Sequence, residues 1–227
     1  QSQDSTGDYL NGVKKCKDCF DVEGPAEDMR YVTYGVTDMK DVYDAYAIGV
    51  NVENSYEVMD CGSNIGEVAF SGNIWESYSN QYCYFVKNCS NCFGCVGIRN
   101  KQYCILNTQY SKEEYEELLP KIITHMNETP YIDKNGSTYR YGEFFPAEFS
   151  FFPYNESIAQ EYFPLNKSEA EDKGYVWGNL EEKKYTATKN ETPNSAEGLN
   201  ESILEEVFAC AHGGTCNHQC VAAFRII

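Results

Sequence analysis

A short phrase returns through the first half of this chain: Asp or Asn, an aromatic two residues on, then a small β-former. It reads Asp18-Cys19-Phe20-Asp21-Val22, Asp41-Val42-Tyr43-Asp44-Ala45, Asn54-Ser55-Tyr56-Glu57-Val58 and Asn91-Cys92-Phe93-Gly94-Cys95. Weaker copies start at Asp28, Asn64, Asn80 and Asn100. Repetition constrains the fold more than any single motif, because a repeat unit buries its apolar face only by stacking on its neighbours. Taken alternately, the anchors form two interleaved series, 18-41-64-91 and 28-54-80-100, with steps of 20 to 27 residues. A unit of roughly 20–29 residues is the size of one solenoid coil. Asp and Asn suit its corners, since they tolerate the left-handed region and bond nearby backbone. The Tyr, Phe, Val and Cys that follow suit half-buried strands.

The expectation is a mainly β chain, a parallel β-solenoid of about four coils over residues 14–110. Parallel ladders would link the 18-41-64-91 series, with Phe20, Tyr43, Tyr56 and Phe93 buried. An antiparallel sandwich of short strands is the alternative. An open solenoid leaves strand edges at its ends that have to be covered. Ser111-Lys112-Glu113-Glu114 is a capping box, followed at helical spacing by Tyr115, Leu118, Leu119, Ile122, Ile123 and Met126. This predicts a helix, kinked at Pro120, laid over the last coil around residues 104–106. Residues 1–13 are polar and read as a disordered N-terminal segment. Residues 111–177 read as helical cap and aromatic-rich flank, and 178–199 as a linker rich in Glu, Lys, Thr and Asn. Residues 200–227, a helix at about 201–210 and a Cys/His motif, complete a small irregular α+β C-terminal appendage.

Thirty-five acidic residues against 18 basic ones give a formal charge of −17. That argues against nucleic acid as a partner of this segment and against an anionic membrane, since both demand a basic footprint. The acid is spread rather than blocked, as on a solvated surface; a protein partner or a glycan is the expected ligand class. No stretch approaches the ~20 apolar residues of a membrane span. With neither signal peptide nor initiator Met, and with Phe224-Arg225-Ile226-Ile227 ending in mid-pattern, the chain reads as an excised, processed or trimmed piece.

Eleven cysteines are present, eight of them in the solenoid: Cys16, Cys19, Cys61, Cys83, Cys89, Cys92, Cys95 and Cys104. At equivalent strand positions they would stack as small inward-facing hydrophobes. Coils about 4.8 Å apart would bring some pairs within oxidation distance. Free core thiols in a reducing, cytoplasmic compartment are expected in preference to a disulfide framework. Seven Asn-x-Ser/Thr sequons, at Asn88, Asn127, Asn135, Asn155, Asn166, Asn190 and Asn200, keep a secreted setting open.

Residues 139–165 crowd ten aromatics with Pro146, Pro153 and Pro164. They would anchor an irregular flank or, alternatively, line a binding groove. Asn166 should start a short helix that Gly174 ends. Then comes one compact chemical constellation, Cys210, His212, Cys216, His218 and Cys220, around Gly213-Gly214. Thiolate and imidazole together suit tetrahedral zinc, with Cys210, Cys216, His218 and Cys220 as the expected ligands. A half-site completed elsewhere, or plain buried cysteines, are the alternatives. Catalysis finds little support: His125 stands alone on the capping helix, and no nucleophile has a base at telling spacing. Asp38, Asp41 and Asp44 could act as acid/base carboxylates along one face, but corner residues are the simpler reading.

The run from Asn91 to Asn107, with Tyr110-Ser111-Lys112-Glu113-Glu114-Tyr115 and Leu118-Leu119-Pro120-Lys121-Ile122-Ile123 after it, resembles an uncharacterised Cys-rich family of uncultivated, small-genome bacteria. Gly142-Glu143-Phe144-Phe145-Pro146, Tyr154-Asn155-Glu156-Ser157 and Gln160-Glu161-Tyr162-Phe163-Pro164-Leu165 are similar to its later motifs. The resemblance covers residues 80–227 well and 14–80 loosely. It implies zinc-ribbon segments flanking a solenoid, with Cys210, Cys216 and Cys220 at the start of the later ribbon, and it implies no particular activity. The basic continuation of that ribbon is missing from this sequence, which weakens any nucleic-acid role. Many members have Cys where this chain has Met29, Val42 or Ser55, which fits a core role for those positions.

The functional expectation is therefore a non-enzymatic acidic β-solenoid scaffold or binding module with a structural zinc motif. The alternatives are a carboxylate-dependent enzyme acting on polysaccharide from a solenoid face, or the partner-binding part of a nucleic-acid-associated zinc protein.

Overall fold

The computed structural model describes residues 2–36, 38–50, 52–179, 186–191, 193, 195, 200–212 and 223–225. The chain divides into two compact units, residues 1–132 with 136–145, and residues 133–135 with 146–227.

The fold is mainly β, and the first unit is a parallel β-solenoid. Its strands are β1 (Gly7–Lys17), β2 (Cys19–Val36), β3 (Met39–Gly49), β4 (Ser55–Gly62), β5 (Ala69–Trp75), β6 (Tyr78–Gln81), β7 (Tyr84–Lys87), β8 (Ser90–Phe93), β9 (Gln102–Ile105) and β10 (Thr108–Gln109). They pair in the order β1-β2-β3-β4-β5-β6-β8-β9-β10, with β7 on β5. The coil is about half the expected size. Gly7 pairs with Cys19, Met29 with Val42, Val42 with Ser55, Gly72 with Tyr84 and Cys92 with Cys104, so one turn takes 12 or 13 residues. The solenoid makes about seven turns instead of four. Anchors 28, 41 and 54 lie on successive coils of one ladder, and the expected 18-41-64-91 ladder does not exist.

The reason is a three-residue grain. Buried residues recur every third position, as in Val13, Cys16, Cys19, Val22 and again in Met39, Val42, Ala45, Ile48. The residue before each inward one often has positive φ: Lys15, Asp18 and Asp21 in the first set, Asp41, Asp44 and Ala47 in the second. Each coil thus has four sides of three residues, read as inward, outward, left-handed corner. A fourth residue on one side makes the 13-residue coils. The left-handed region costs most L-residues about 1–2 kcal/mol; Asp and Asn are enriched there, so they mark the repeat in the sequence. The same grain corrects a burial expectation. Phe20, Tyr43 and Tyr56 follow the inward Cys19, Val42 and Ser55, point outward, and are 45%, 38% and 37% exposed. Phe93 occupies the same outward place but is buried under other side chains.

Those side chains come from α1 (Lys112–Glu128), which starts with the expected capping box and runs through Pro120. Its Tyr115 is buried with Phe70, Tyr82, Phe93 and Ile105, and Leu118, Leu119, Ile122 and Met126 pack on the same cluster. The helix therefore covers an outer face of the last coils, while Leu106 at the coil end stays 73% exposed. The last edge is paired instead by β10, which folds back antiparallel on β9. At the other end the solenoid begins well before residue 14: Gln3 bridges Lys14 and β1 starts at Gly7, where a disordered segment was expected.

After a short hairpin of β11 (Tyr131–Ile132) and β12 (Thr138–Tyr139), the second unit holds α2 (Ile158–Tyr162) and α3 (Lys167–Asp172). Asn166 caps α3 reciprocally with Glu169, and Gly174 follows at φ 88°, as expected. The helix expected at about 201–210 is a 3-10 turn, Glu201–Glu205, followed by β13 (Val207–Ala209) paired with β14 (Ala223–Arg225). Lys189, in the expected linker, also bonds to the backbone of β13. Partner strands, which local periodicity does not register, decide the conformation there.

Candidate functional site

Of the four expected zinc ligands, only Cys210 is among the described residues; it follows β13 and is half-buried. Cys216, His218 and Cys220 lie outside the described residues. His212 is exposed. Among the described residues, no group of three or more His, Cys, Asp or Glu forms a metal site.

All eight solenoid cysteines are buried, and none is in a disulfide. Their role is local. Each thiol donates to the carbonyl two residues earlier, for example Cys61 to Met59 at 3.2 Å and Cys83 to Gln81 at 3.3 Å. Cys89 and Cys95 also accept the N–H of Lys101 and Asn107 from the next coil, both at 3.4 Å. Burial pushes the Cys61 thiol up to about 12 and raises Cys89 and Cys104 as well. Hydrogen bonding among Cys83, Cys92 and Cys95 raises the first two and lowers Cys95, as the bond to Cys16 lowers Cys19 to about 7. A thiol held protonated is a poor nucleophile and a poor metal ligand.

Asp38, Asp41 and Asp44 all take the left-handed corner conformation, which accounts for them structurally. The carboxylate that the sequence did not single out is Glu57, at the corner one coil after Asp44. Burial raises its pKa, against hydrogen bonds from Tyr56 and the Phe144 N–H, and Asp44 and Glu143 raise it further. One of its oxygens, Oε2, is buried without a partner. Glu57 sits beside an aromatic ladder, Tyr31, Tyr43, Tyr56, Phe70, Tyr82 and Phe93, with successive rings 4.8–5.5 Å apart. The later rungs are covered by α1, Tyr141 and Phe144.

A second face stays open. Asp8 pairs with Phe20, and Thr33, Tyr46, Met59, Gly72, Tyr84 and Val96 pair in succession. Its corners include Tyr9, Asp21, Tyr34, Asp60 and Phe85. Tyr9, Tyr34, Tyr46 and Phe85 are 87%, 54%, 59% and 58% exposed. Among the described residues, no Lys or Arg lies on this face. Elsewhere on the solenoid, three lysines pair with local acids: Lys14 with Glu27 at 2.8 Å, Lys15 with Asp28 at 3.4 Å and Lys87 with Glu76 at 3.6 Å. Asp8, Asp21 and Asp60 have no ion-pair partner among the described residues. Near the first coils the face dips into a cleft of about 390 Å³ lined by Tyr9, Asn11, Asp21, Glu23 and Tyr34. Reading every twelfth or thirteenth residue would have aligned this face from the sequence; the doubled period hid it.

The aromatic segment 139–165 divides. Tyr141 and Phe144 pack on the ladder, whereas Phe151, Phe152, Tyr162 and Phe163 remain exposed in the second unit. There Phe152, Tyr154, Phe163, Lys173 and Tyr175 help line a cleft of about 510 Å³. Three sequon asparagines have structural tasks. Asn155 is buried and exchanges two hydrogen bonds with Gly178, at 2.9 and 2.7 Å, and Asn166 and Asn200 cap helical turns. Comparisons of the chain with protein-family models, curated proteins and solved structures found no match.

Proposed function

We propose that this protein is a non-enzymatic binding module, with the solenoid as a rigid scaffold and the open aromatic face as its docking surface. The observation that carries this reading is the register of Phe20, Tyr46, Met59 and Tyr84 with the exposed corner rings Tyr9, Tyr34 and Phe85. Contiguous exposed apolar surface rimmed by polar groups marks interaction sites. Stacked coils present it on hydrogen-bonded backbone, so little ordering cost is left for binding. The zinc motif at Cys210, Cys216, His218 and Cys220 belongs to this reading as a structural site of the second unit, on the strength of its donor set.

The test uses arrays of peptides and of glycans, probed with the wild type and with Tyr34→Ser/Tyr46→Ser. Both substitutions are at exposed positions and should leave the melting temperature within a few degrees. A ligand held by the wild type and lost by the double variant supports the reading. No ligand in either array, or one held equally by both proteins, defeats it.

A further inference from the structure

Resting on that reading, we infer that the occupant of the open face is an extended, basic polypeptide segment, anchored by a Lys or Arg side chain in the cleft between Tyr9 and Tyr34.

Charge comes first. The face carries Asp8, Asp21 and Asp60, has Glu23 at its edge and, among the described residues, holds no cation to neutralise them. The other sides of the solenoid, by contrast, each contain Lys or Arg. A cationic partner is the complement that this distribution lacks, and complementary charge governs orientation and encounter. A neutral glycan would find rings to stack on but would leave the carboxylates uncompensated.

The cleft supplies the anchor. Aromatic walls at Tyr9 and Tyr34, with Asp21 and Glu23 beside them, match a guanidinium or ammonium group. Cation–π attraction draws such a group to the ring faces and strengthens as the pair is desolvated. The volume of about 390 Å³ accommodates a long side chain together with part of the backbone that carries it.

Spacing gives the backbone. Tyr9 and Tyr34 stand two coils apart along one corner, with Asp21 between them, and Phe20 and Tyr46 stand two coils apart on the adjacent column, with Thr33 between. Two coils rise ~9.6 Å at ~4.8 Å each. A polyproline II strand advances ~9.3 Å per three-residue turn. A segment in that conformation, running along the solenoid axis, would carry side chains three residues apart from Tyr9 to Tyr34, or from Phe20 to Tyr46.

The probe is a fluorescent peptide of repeated Pro-Pro-Arg triplets, compared by anisotropy with its Pro-Pro-Gln counterpart at low and high ionic strength. The Arg peptide should bind at least tenfold more tightly, and salt should reduce the difference. Asp21→Asn/Glu23→Gln should weaken it several-fold and Tyr34→Ala about tenfold, whereas Glu53→Gln, on another side, should change nothing. If Tyr34→Ala fails to fold, Tyr9→Ala at a more exposed ring serves in its place. Equal binding of the two peptides, or Arg-peptide binding indifferent to the Tyr variants, overturns the inference. A glycan lost by the Tyr34→Ser/Tyr46→Ser protein would overturn it too while leaving the binding-module reading intact. So would self-association in sedimentation that Tyr34→Ala abolishes, since a second copy would then be the occupant.

Discussion

The backbone N–H of Cys83 donates to Ser71 Oγ at 3.0 Å, one coil earlier in the chain. Ser77 accepts the N–H of Cys89 at 3.1 Å, and Asn80 that of Cys92 at 3.0 Å. Ser71 and Ser77 pass the bond on, each donating to the carbonyl two residues earlier at 2.7 Å. A small polar residue at an inward position thus satisfies two backbone groups that the corner leaves out of the ladder. Cysteine performs the same task with longer, weaker bonds and more apolar contact. That explains a core in which Ser, Asn and Cys share columns with Val and Ile.

Ser55 breaks the pattern: it is buried, and its Oγ has no partner. A buried group left unsatisfied costs about 1–3 kcal/mol, as does orphaning its partner. Ser71→Ala should therefore lower stability by about that amount, whereas Ser55→Ala should be neutral or stabilising and Ser55→Cys stabilising. Chemical denaturation of the three variants checks this; equal losses from Ser71→Ala and Ser55→Ala would refute the scheme.

Glu57 predicts a pH dependence. Its folded pKa is raised, chiefly by burial, so the native state holds the proton more tightly than the unfolded chain does. Stability from this group is fully present below the unfolded value, near 4.3, and declines as pH rises through the higher folded value. Glu57→Gln should remove that slope and raise the melting temperature at neutral pH, with little change near pH 4. Scanning calorimetry at both pH values decides it; an equal shift at both would mean that packing, not ionisation, is responsible.

The sequence made the solenoid legible because left-handed corners favour Asp and Asn, and these recur visibly at 28, 41 and 54. It obscured the coil length because corners also accept Tyr31, Ala47, Phe70 and Tyr82. With half the corners unmarked, alternate anchors looked like separate series. The open aromatic face was lost for the same reason, since Phe20, Thr33, Tyr46 and Met59 form one column only at the short period. Capping chemistry is local, so Ser111 with Glu114 and Asn166 with Glu169 were readable directly. The strand at Val207–Ala209 was not, because it depends on a partner about fifteen residues away in sequence.

The capping helix predicts a surface defect. Leu119 packs on the cluster of Phe93 and Ile105, and an unpaired charge there is costly. Leu119→Asp should destabilise by roughly 1–3 kcal/mol and expose Phe93, giving aggregation on gel filtration and dye binding. Leu119→Ala should show a smaller effect. A soluble, unshifted Leu119→Asp protein would remove α1 from the cap.

The zinc proposal predicts about one zinc per chain in protein purified without added metal, with tetrahedral thiolate and imidazole ligation. Acid or chelator should release it, because the ligands bind deprotonated, while the solenoid keeps its melting temperature. Elemental analysis showing no zinc, with Cys210, Cys216 and Cys220 all readily alkylated, would dismiss it.

The buried thiols carry the last prediction. Cys61 is held up at about 12 by burial, and burial raises Cys89 and Cys104 too. In the unfolded chain such thiols ionise near 8.5. The folded state therefore keeps protons that the unfolded chain releases, so stability is fully present below about 8.5 and is lost as pH climbs towards the folded values. Two measurements follow. Iodoacetamide under native conditions at neutral pH should leave these three cysteines unmodified, and burial should equally shield Cys16, Cys19, Cys83, Cys92 and Cys95; denaturant should release all eight together, since adjacent coils unfold as a cooperative stack. A melting curve should shift downward above about pH 8.5, and replacing Cys61 with Ser, whose hydroxyl does not ionise in this range, should flatten that shift. Rapid native alkylation of Cys83, Cys92 or Cys95 would show that the last coils open readily, and an alkaline shift unaffected by Cys61→Ser would assign it to other groups.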